Sequence, residues 1–427
     1  MTPGSATHRA SPLATPLEVL LPITDPDFKR RSPQLCRRLA QPGHPCPVRL
    51  PSTATGWMIA DFDGVRDLLR SDQLSKRPPG HQAPSIHPLY DNLVGLDPPR
   101  HTYLRQVLNQ AMPSSLLRRC GEHIAPCADR LARDLVHACL DRDIDVVEHY
   151  ALPLSLSTLI RLLGLPPGCD AELRQWSQRL HQADLESPER SADIAGELQD
   201  FIRQARHRTV APQTSIIARL QRLNSRQVLS PDECDAMLFL LTMAGHETSV
   251  HLITSLIWRA LTPSHTWHRL RQDPKQILPF AEEVLRLEPP LEFATPRFTL
   301  APITIGQTIL PEGAAVFLGI AAANRDTTRF PRPDRLVLTS TPRPSHLSFG
   351  SGHHTCPGAT LARLQAHLAL EALLRHGQHL ALSPAPHLCP RWMPGMNERG
   401  LQHLFVHRRD DFSVPTRAAY SAPVLRP

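Results

Sequence analysis

One stretch of the chain, HLSFGSGHHTCPGATLAR from His346 to Arg363, constrains the fold more than any other. Phe349, Gly350 and Gly352 predict a loop with backbone angles that glycine reaches and other residues avoid. Cys356 follows, then Pro357, Gly358 and a helical pattern with Leu361, Leu364 and Leu368 on one face. Cys356 is therefore placed just before a helix N-terminus, where the dipole and the unpaired amides favour a thiolate. A thiolate on a rigid loop is a metal ligand or a nucleophile.

Three readings of Cys356 stand on the residues alone. It can be a buried free thiol beside a turn. It can join His353 and His354 in a zinc site, although that spacing is tight and no Cys-x-x-Cys pair occurs elsewhere. It can be an axial thiolate to haem iron. The string Phe349-Gly350-x-Gly352-x-His354-x-Cys356-x-Gly358 resembles the haem-binding signature of the cytochrome P450 family. The resemblance implies haem b as cofactor, Cys356 as the iron ligand, and Phe349, Gly350 and His354 as further cofactor contacts. It also implies a mainly α fold with a small β region, a triangular prism of helices around the haem.

Composition bears on compartment and partners. The nine cysteines are scattered without close pairs, which argues against a disulfide framework and for a reducing compartment. Leu17 to Ile23 is interrupted by Glu18 and Pro22 and is far shorter than the ~20 apolar residues of a membrane span. A soluble, cytoplasmic protein without a membrane anchor is expected. The net charge is +7, carried almost wholly by arginine, but basic residues are dispersed and form no run that suggests nucleic acid. Residues 1–25 and 407–427 read as loosely ordered flanks, and 26–406 as one domain.

Along the chain, Asp27–Leu39 predicts a short helix, Val48–Leu50 and Gly56–Ala60 two strands, and Asp61–Leu69 a helix. Residues 76–95 are proline-rich and read as a long loop, which in the family caps the substrate pocket. Asp97 can cap the helix that carries His101 and Arg105, which lie four apart on one face and suit a pair of carboxylates. In the family these residues grip the haem propionates, together with an arginine here matched by Arg297. Residues 170–224 are polar helical segments broken near Ser187-Pro188, a region the family uses as a lid.

Ser230-Pro231-Asp232-Glu233 is a strong helix start with a capping box. The helical pattern continues to about Leu261, some thirty residues or ~45 Å. Gly245 inside it costs ~1 kcal/mol against alanine. Beside Thr248, whose hydroxyl can take a backbone carbonyl, it predicts a local opening; a close helix–helix contact is the other reading. Ala244-Gly245-His246-Glu247-Thr248-Ser249 resembles the family's oxygen-binding motif. That likeness makes Glu247 and Thr248 the acid–alcohol pair for proton delivery, and Ala244 and Gly245 haem contacts.

Glu283 and Arg286 match the family's structural Glu-x-x-Arg, with Arg335 as the third member. Leu241, Ala244, Leu291 and Glu292 fall where the family lines its pocket, and the segment from Leu291 resembles soluble bacterial members that modify macrolides.

The implied function is a haem-thiolate monooxygenase that hydroxylates or epoxidises an apolar small molecule with dioxygen. A peroxide-dependent peroxygenase and a non-catalytic haem protein are the alternatives. No Gly-x-Gly-x-x-Gly follows a strand, so electrons are expected from a ferredoxin and its reductase, docking on a monomer near Arg100 and Arg363.

Overall fold

The fold grows around a long apolar helix pair whose start is fixed by side chains. Ser230 Oγ accepts from the Glu233 amide (3.1 Å) and Glu233 Oε2 accepts from the Ser230 amide (3.0 Å), with Pro231 in the first turn. This reciprocal cap satisfies two donors that a helix start leaves open. The computed structural model describes residues 19–20, 26–49, 55–80, 87–186, 188–208, 214–338, 344–394 and 397–409.

The helices are α1 (Pro26–Leu39), α2 (Phe62–Arg70), α3 (Arg100–Ala111), α4 (Ser114–Ala138), α5 (Leu152–Leu163), α6 (Asp170–Glu186), α7 (Pro188–Arg208), α8 (Ile216–Ser225), α9 (Pro231–Ala244), α10 (Glu247–Leu261), α11 (Ser264–Gln272), α12 (Ile277–Leu287), α13 (Ile320–Ala323) and α14 (Ala359–His376). The main core is built by α4, α5, α10, α12 and α14, through residues such as Ile124, Leu154, Ile253, Val284 and Leu373. Pro231–Leu261 is long and apolar enough to cross a membrane by length and composition. It is interrupted after Ala244 and packed against α5, α12 and α14, and we read it as the core of the fold.

The strands are β1 (Val19–Leu20), β2 (Cys46–Arg49), β3 (Thr55–Ile59), β4 (Leu74–Ser75), β5 (Ile144–Asp145), β6 (Arg297–Thr299), β7 (Ile303–Ile305), β8 (Thr308–Leu310), β9 (Ala315–Leu318), β10 (Leu380–Leu382), β11 (Arg391–Trp392), β12 (Leu401–His403) and β13 (Phe405–Arg408). The largest sheet has the order β1-β2-β3-β9-β6-β4. Val19 and Leu20 thus pair with Val48 and Arg49 inside a segment expected to be loose. The closing strand β13 reaches Arg408, two residues past the expected boundary. Residues 1–18, 21–25 and 410–427 of the flanks, and residues 81–86 of the proline-rich loop, lie outside the described residues.

Two buried ionic clusters tie distant segments together. In the first, Glu283 and Arg286 pair at 2.9 and 3.1 Å. Arg286 also donates to the carbonyls of Asn324 (3.0 Å), Pro333 (2.7 Å) and Arg335 (3.0 Å). This corrects the expectation for Arg335: its backbone oxygen joins the cluster, and the residue itself is exposed.

In the second, Arg399 donates to Glu288 (2.9 Å) and Glu292 (3.0 Å), and the Ser32 hydroxyl donates to Glu292 (2.7 Å). Burial pushes the Glu288 carboxyl up, but Arg259, Arg399 and Arg325 outweigh it and hold it at about 2. Glu292 is 1% exposed and has both oxygens engaged here, so it is a structural anchor and not the pocket residue expected.

Removing one partner of a buried pair leaves an uncompensated charge, at a cost of about 3–5 kcal/mol. Arg286→Ala should lower the denaturant midpoint of unfolding by the equivalent of that loss. Arg335→Ala, which keeps the backbone carbonyl, should stay close to wild type in the same measurement.

Candidate active site

The candidate site draws on three segments: the Cys356 loop and the start of α3 with strands β4 and β6, which touch through Arg105–Thr355 and His101–His354, and the junction of α9 and α10. In the loop, the Cys356 amide donates to the Phe349 carbonyl (2.9 Å) and the Gly350 amide to that of Leu347 (2.8 Å). Gly350 and Gly352 adopt φ of +72° and +73°. At Gly352 a Cβ would also stand 2.8 Å from the Leu69 carbonyl oxygen, so only glycine lets the loop lie on α2. Arg363 covers the loop, its guanidinium 4.4 Å from the Phe349 ring centroid. The predicted helix does follow, as α14. Burial pushes the Cys356 thiol up, while amides of Gly358 and Ala359 and the charges of Arg105 and Arg363 pull it down. The protein alone therefore does not favour the thiolate expected from the helix terminus; a bound metal would complete the deprotonation.

The zinc reading loses its geometry. Among the described residues no group of three His, Cys, Asp or Glu side chains gathers to hold a metal ion. His354 instead packs on His101, ring centroids 4.3 Å apart, and bonds to the Leu93 backbone.

His101 and His354 belong to a cluster of basic side chains with Lys76 and Arg297. Strands β4 and β6 pair antiparallel with Ser75 opposite Phe298, so the next residue, Lys76, stands beside Arg297. Lys76 Nζ donates to Thr295 Oγ1 (2.6 Å) and the Pro296 carbonyl (3.1 Å). Burial and then Arg297 lower the Lys76 ammonium to about 7. Burial, Arg297, Lys76 and His101 depress His354 to about 3.

The nearby carboxylate, Asp97, is committed through Oδ2 to the Ser75 hydroxyl (2.7 Å) and the Lys76 amide (2.9 Å). It does not cap α3, which begins after Pro99 without a side-chain cap. His101 Nδ1 and Arg297 Nε are buried without hydrogen-bond partners. Basic side chains crowded together, with unmet donors and no free counter-charge, call for an anion, and the two carboxylates of a haem fit that need. Arg105 reaches the Thr355 carbonyl (2.6 Å), next to Cys356. Lys76 was not legible in the sequence, since only strand register brings it to Arg297.

At the third segment the long helix is interrupted. α9 ends at Ala244, Gly245 and His246 form a turn, and α10 begins at Glu247. The Thr248 hydroxyl donates to the Ala244 carbonyl (3.1 Å), as the expected opening requires. Both readings of Gly245 hold together, because a Cβ there would meet the Leu241 oxygen at 2.4 Å and Leu159 Cδ1 at 3.0 Å. Ala244 and Gly245 are exposed in the middle of an otherwise buried helix pair, so an open space lies against them. Leu241 and Leu291 are half-buried.

A thiol on a glycine loop, an anion-seeking cluster and a helix opened at Gly245 are the features that a haem-thiolate site needs. The sequence model "Cytochrome P450" matches residues 180–384. The monooxygenase PikC of Streptomyces venezuelae is 31% identical, over 87% of this chain and 90% of that protein. The 6-deoxyerythronolide B hydroxylase of Saccharopolyspora erythraea is 30% identical, over 82% and 89%. The solved structure of PksS from the Bacillus subtilis bacillaene polyketide synthase superposes with a TM-score of 0.80 at 27% identity, covering 91% of this chain and 99% of that one. The chain belongs to the cytochrome P450 family. It is a monooxygenase with haem b as its cofactor.

The Lys76 geometry carries a pH signature. Its ordinary pKa of 10.5 falls to about 7 in the fold, so between those values the unfolded chain binds more protons. Stability of the haem-free protein should therefore rise with pH from about 7 to 10.5. Lys76→Met should remove that rise in denaturant titrations, and reconstitution with haem should reduce it in the wild type by restoring a counter-charge.

Proposed function

We propose that this cytochrome P450 hydroxylates or epoxidises an apolar polyketide-like natural product, with Cys356 as the axial iron ligand and Glu247 and Thr248 as the proton-delivery pair. The observation that carries the dioxygen-dependent reading is the α9–α10 opening, where the Thr248 hydroxyl holds the Ala244 carbonyl beside Glu247. A peroxide-driven enzyme has no need of such a pair. The names of PikC, the 6-deoxyerythronolide B hydroxylase and PksS support the substrate class.

When bound, haem supplies the iron at which dioxygen is split, one oxygen atom entering the substrate and the other leaving as water. The chain's own residues do the rest. Lys76, His101, Arg297 and His354 neutralise the two propionates, with Arg105 at the thiol side. Phe349, Gly350 and Gly352 shape the loop that presents Cys356. Ala244 and Gly245 leave room against the helix, and Leu241 and Leu291 contribute apolar surface for the substrate. Thr248 orients water and passes protons, with Glu247 as the acid behind it.

Two electrons per turnover come from a ferredoxin and its reductase, with the enzyme acting as a cytoplasmic monomer. Arg100 is paired with Glu233, and Arg363 with Glu282 at 2.7 and 2.9 Å. Their steering of an acidic donor is correspondingly weaker than that of free arginines, and the salt dependence of reduction should be shallow.

Two measurements test the assignment. Cys356→Ser should abolish the red-shifted Soret band of the reduced carbon-monoxide complex; its survival would remove Cys356 as the ligand. A library of macrolides and linear polyketides should contain compounds that shift the ferric spin state. With such a compound, Thr248→Ala should keep binding but divert most electrons to peroxide. Unchanged product yield per electron would exclude Thr248 from proton delivery.

A further inference from the structure

A second group of basic side chains lines a cleft between α4, α5 and the start of α8. Its walls are Leu116, Arg119 and Cys120 of α4, Arg161 of α5, and Thr214 and Ser215. None of these residues is among those assigned to the haem site.

The cleft holds donors that the fold leaves unmet. Arg119 Nη2 is buried without a hydrogen-bond partner. Among the described residues, neither Arg119 nor Arg161 takes part in an ion pair. Ser215 is 2% exposed and its Oγ accepts from the Ala218 amide (3.3 Å), which leaves the hydroxyl hydrogen without an acceptor among the described residues. The same serine caps α8, and the first amides of a helix have no partner within it. Arg219 Nε holds the rim through the Thr214 carbonyl (3.2 Å).

The charge here has one sign. Burial pushes the Cys120 thiol up, and the charges that pull it back are Arg161 and Arg119. Burial and then Arg161 lower the ring of His123, further along α4. Among the described residues no carboxylate acts on either group. Residues 209–213, which precede Thr214 and lie outside the described residues, carry no acidic side chain. The C-terminal end of α5, where Arg161 stands, offers only about half an elementary charge. A water molecule can satisfy a lone N–H, but it brings no charge to two guanidiniums.

Size narrows the ligand. The cleft holds about 280 Å3 with the solvent at its mouth included, below the range of about 300–1,000 Å3 for sites that enclose a drug-sized molecule. An oxyanion group fits such a space. Guanidinium forks match the oxygens of a phosphate in pairs, and a helix N-terminus turns amides towards the same charge.

We propose that the cleft between α4, α5 and the N-terminus of α8 is a phosphate-binding site, in which Arg119 and Arg161 hold the oxyanion and Ser215 and the first amides of α8 donate to it. The site does not rest on the roles given to Glu247 and Thr248. Its ligand is free phosphate or the phosphomonoester end of a small metabolite. Bound there, the phosphate ties the start of α8 to α4 and α5.

The test is equilibrium dialysis of the holoenzyme, in which the haem carboxylates occupy the Lys76 cluster. Radiolabelled inorganic phosphate, at neutral pH and constant ionic strength, should bind saturably at one site per chain. It should also raise the unfolding temperature, and chloride at the same ionic strength should not. Arg161→Gln, at an exposed position, should weaken phosphate binding by about tenfold or more, the loss expected for one charge-assisted hydrogen bond. Arg119→Gln should do the same. A normal reduced carbon-monoxide Soret band verifies that each variant is folded. Glycerol phosphate that competes more tightly than inorganic phosphate identifies a phosphorylated metabolite as the ligand, and weaker competition identifies the free ion; both results uphold the site. The proposal is overturned if phosphate shows no saturable binding, if either folded variant binds it as wild type does, or if acetate competes as well as phosphate.

Discussion

The placement of Cys356 depends on one buried guanidinium. Arg286 is held by Glu283 and spends its remaining donors on three carbonyls of the segment that leads to the cysteine loop. The same segment is pinned a second time. Asn324 receives the Leu347 amide (2.7 Å) and donates to Ser348 (2.9 Å), whose hydroxyl donates to the Leu285 carbonyl (2.7 Å). Helix α12 therefore fixes both ends of the approach to Cys356. A thiol presented to a metal needs this rigidity, because a ligand displaced by an ångström loses bond strength and protection from water together. Buried ion pairs are weak evidence for stability in general; here the pair's value lies in the backbone oxygens it collects.

The site is electrically incomplete by design of its register. Antiparallel pairing of β4 with β6 brings Lys76 to Arg297, and packing of the Cys356 loop on α3 brings His354 to His101. The only acid close to them, among the described residues that perturb them, is Asp97, already bound to Ser75 and the Lys76 amide. A dianionic cofactor bound there would supply the counter-charge that the fold itself lacks.

Much of this was legible from local pattern. The capping box at Ser230, the apolar periods of α4, α5 and α12, and the glycine loop before Cys356 each act within a few residues, and each predicted its element. Glu283 and Arg286 were readable for the same reason, being one turn apart. What the sequence hid was long range. Glu292 resembled a pocket residue until Arg399 claimed it from more than a hundred positions away. Arg335 contributes a carbonyl, and a backbone oxygen leaves no side-chain signature. Asp97 had the chemistry of a cap, but Ser75 and the Lys76 amide offered it donors that no local rule anticipates.

The contact between Arg399 and α1 has a consequence for how the protein is made. Arg399 donates to the Lys29 carbonyl across 370 residues of sequence. At roughly 5–20 residues per second, a ribosome needs about 20–70 s to cover that interval. Throughout that time α1 has been synthesised, with Phe28 and Cys36 on its apolar side, but lacks the arginine that anchors it. A chain released before residue 399 would bury Glu288 and Glu292 without their shared counter-ion. The molecule is thus closed by its last strands, and the early helix is the segment that most needs shelter from aggregation while the rest is being translated.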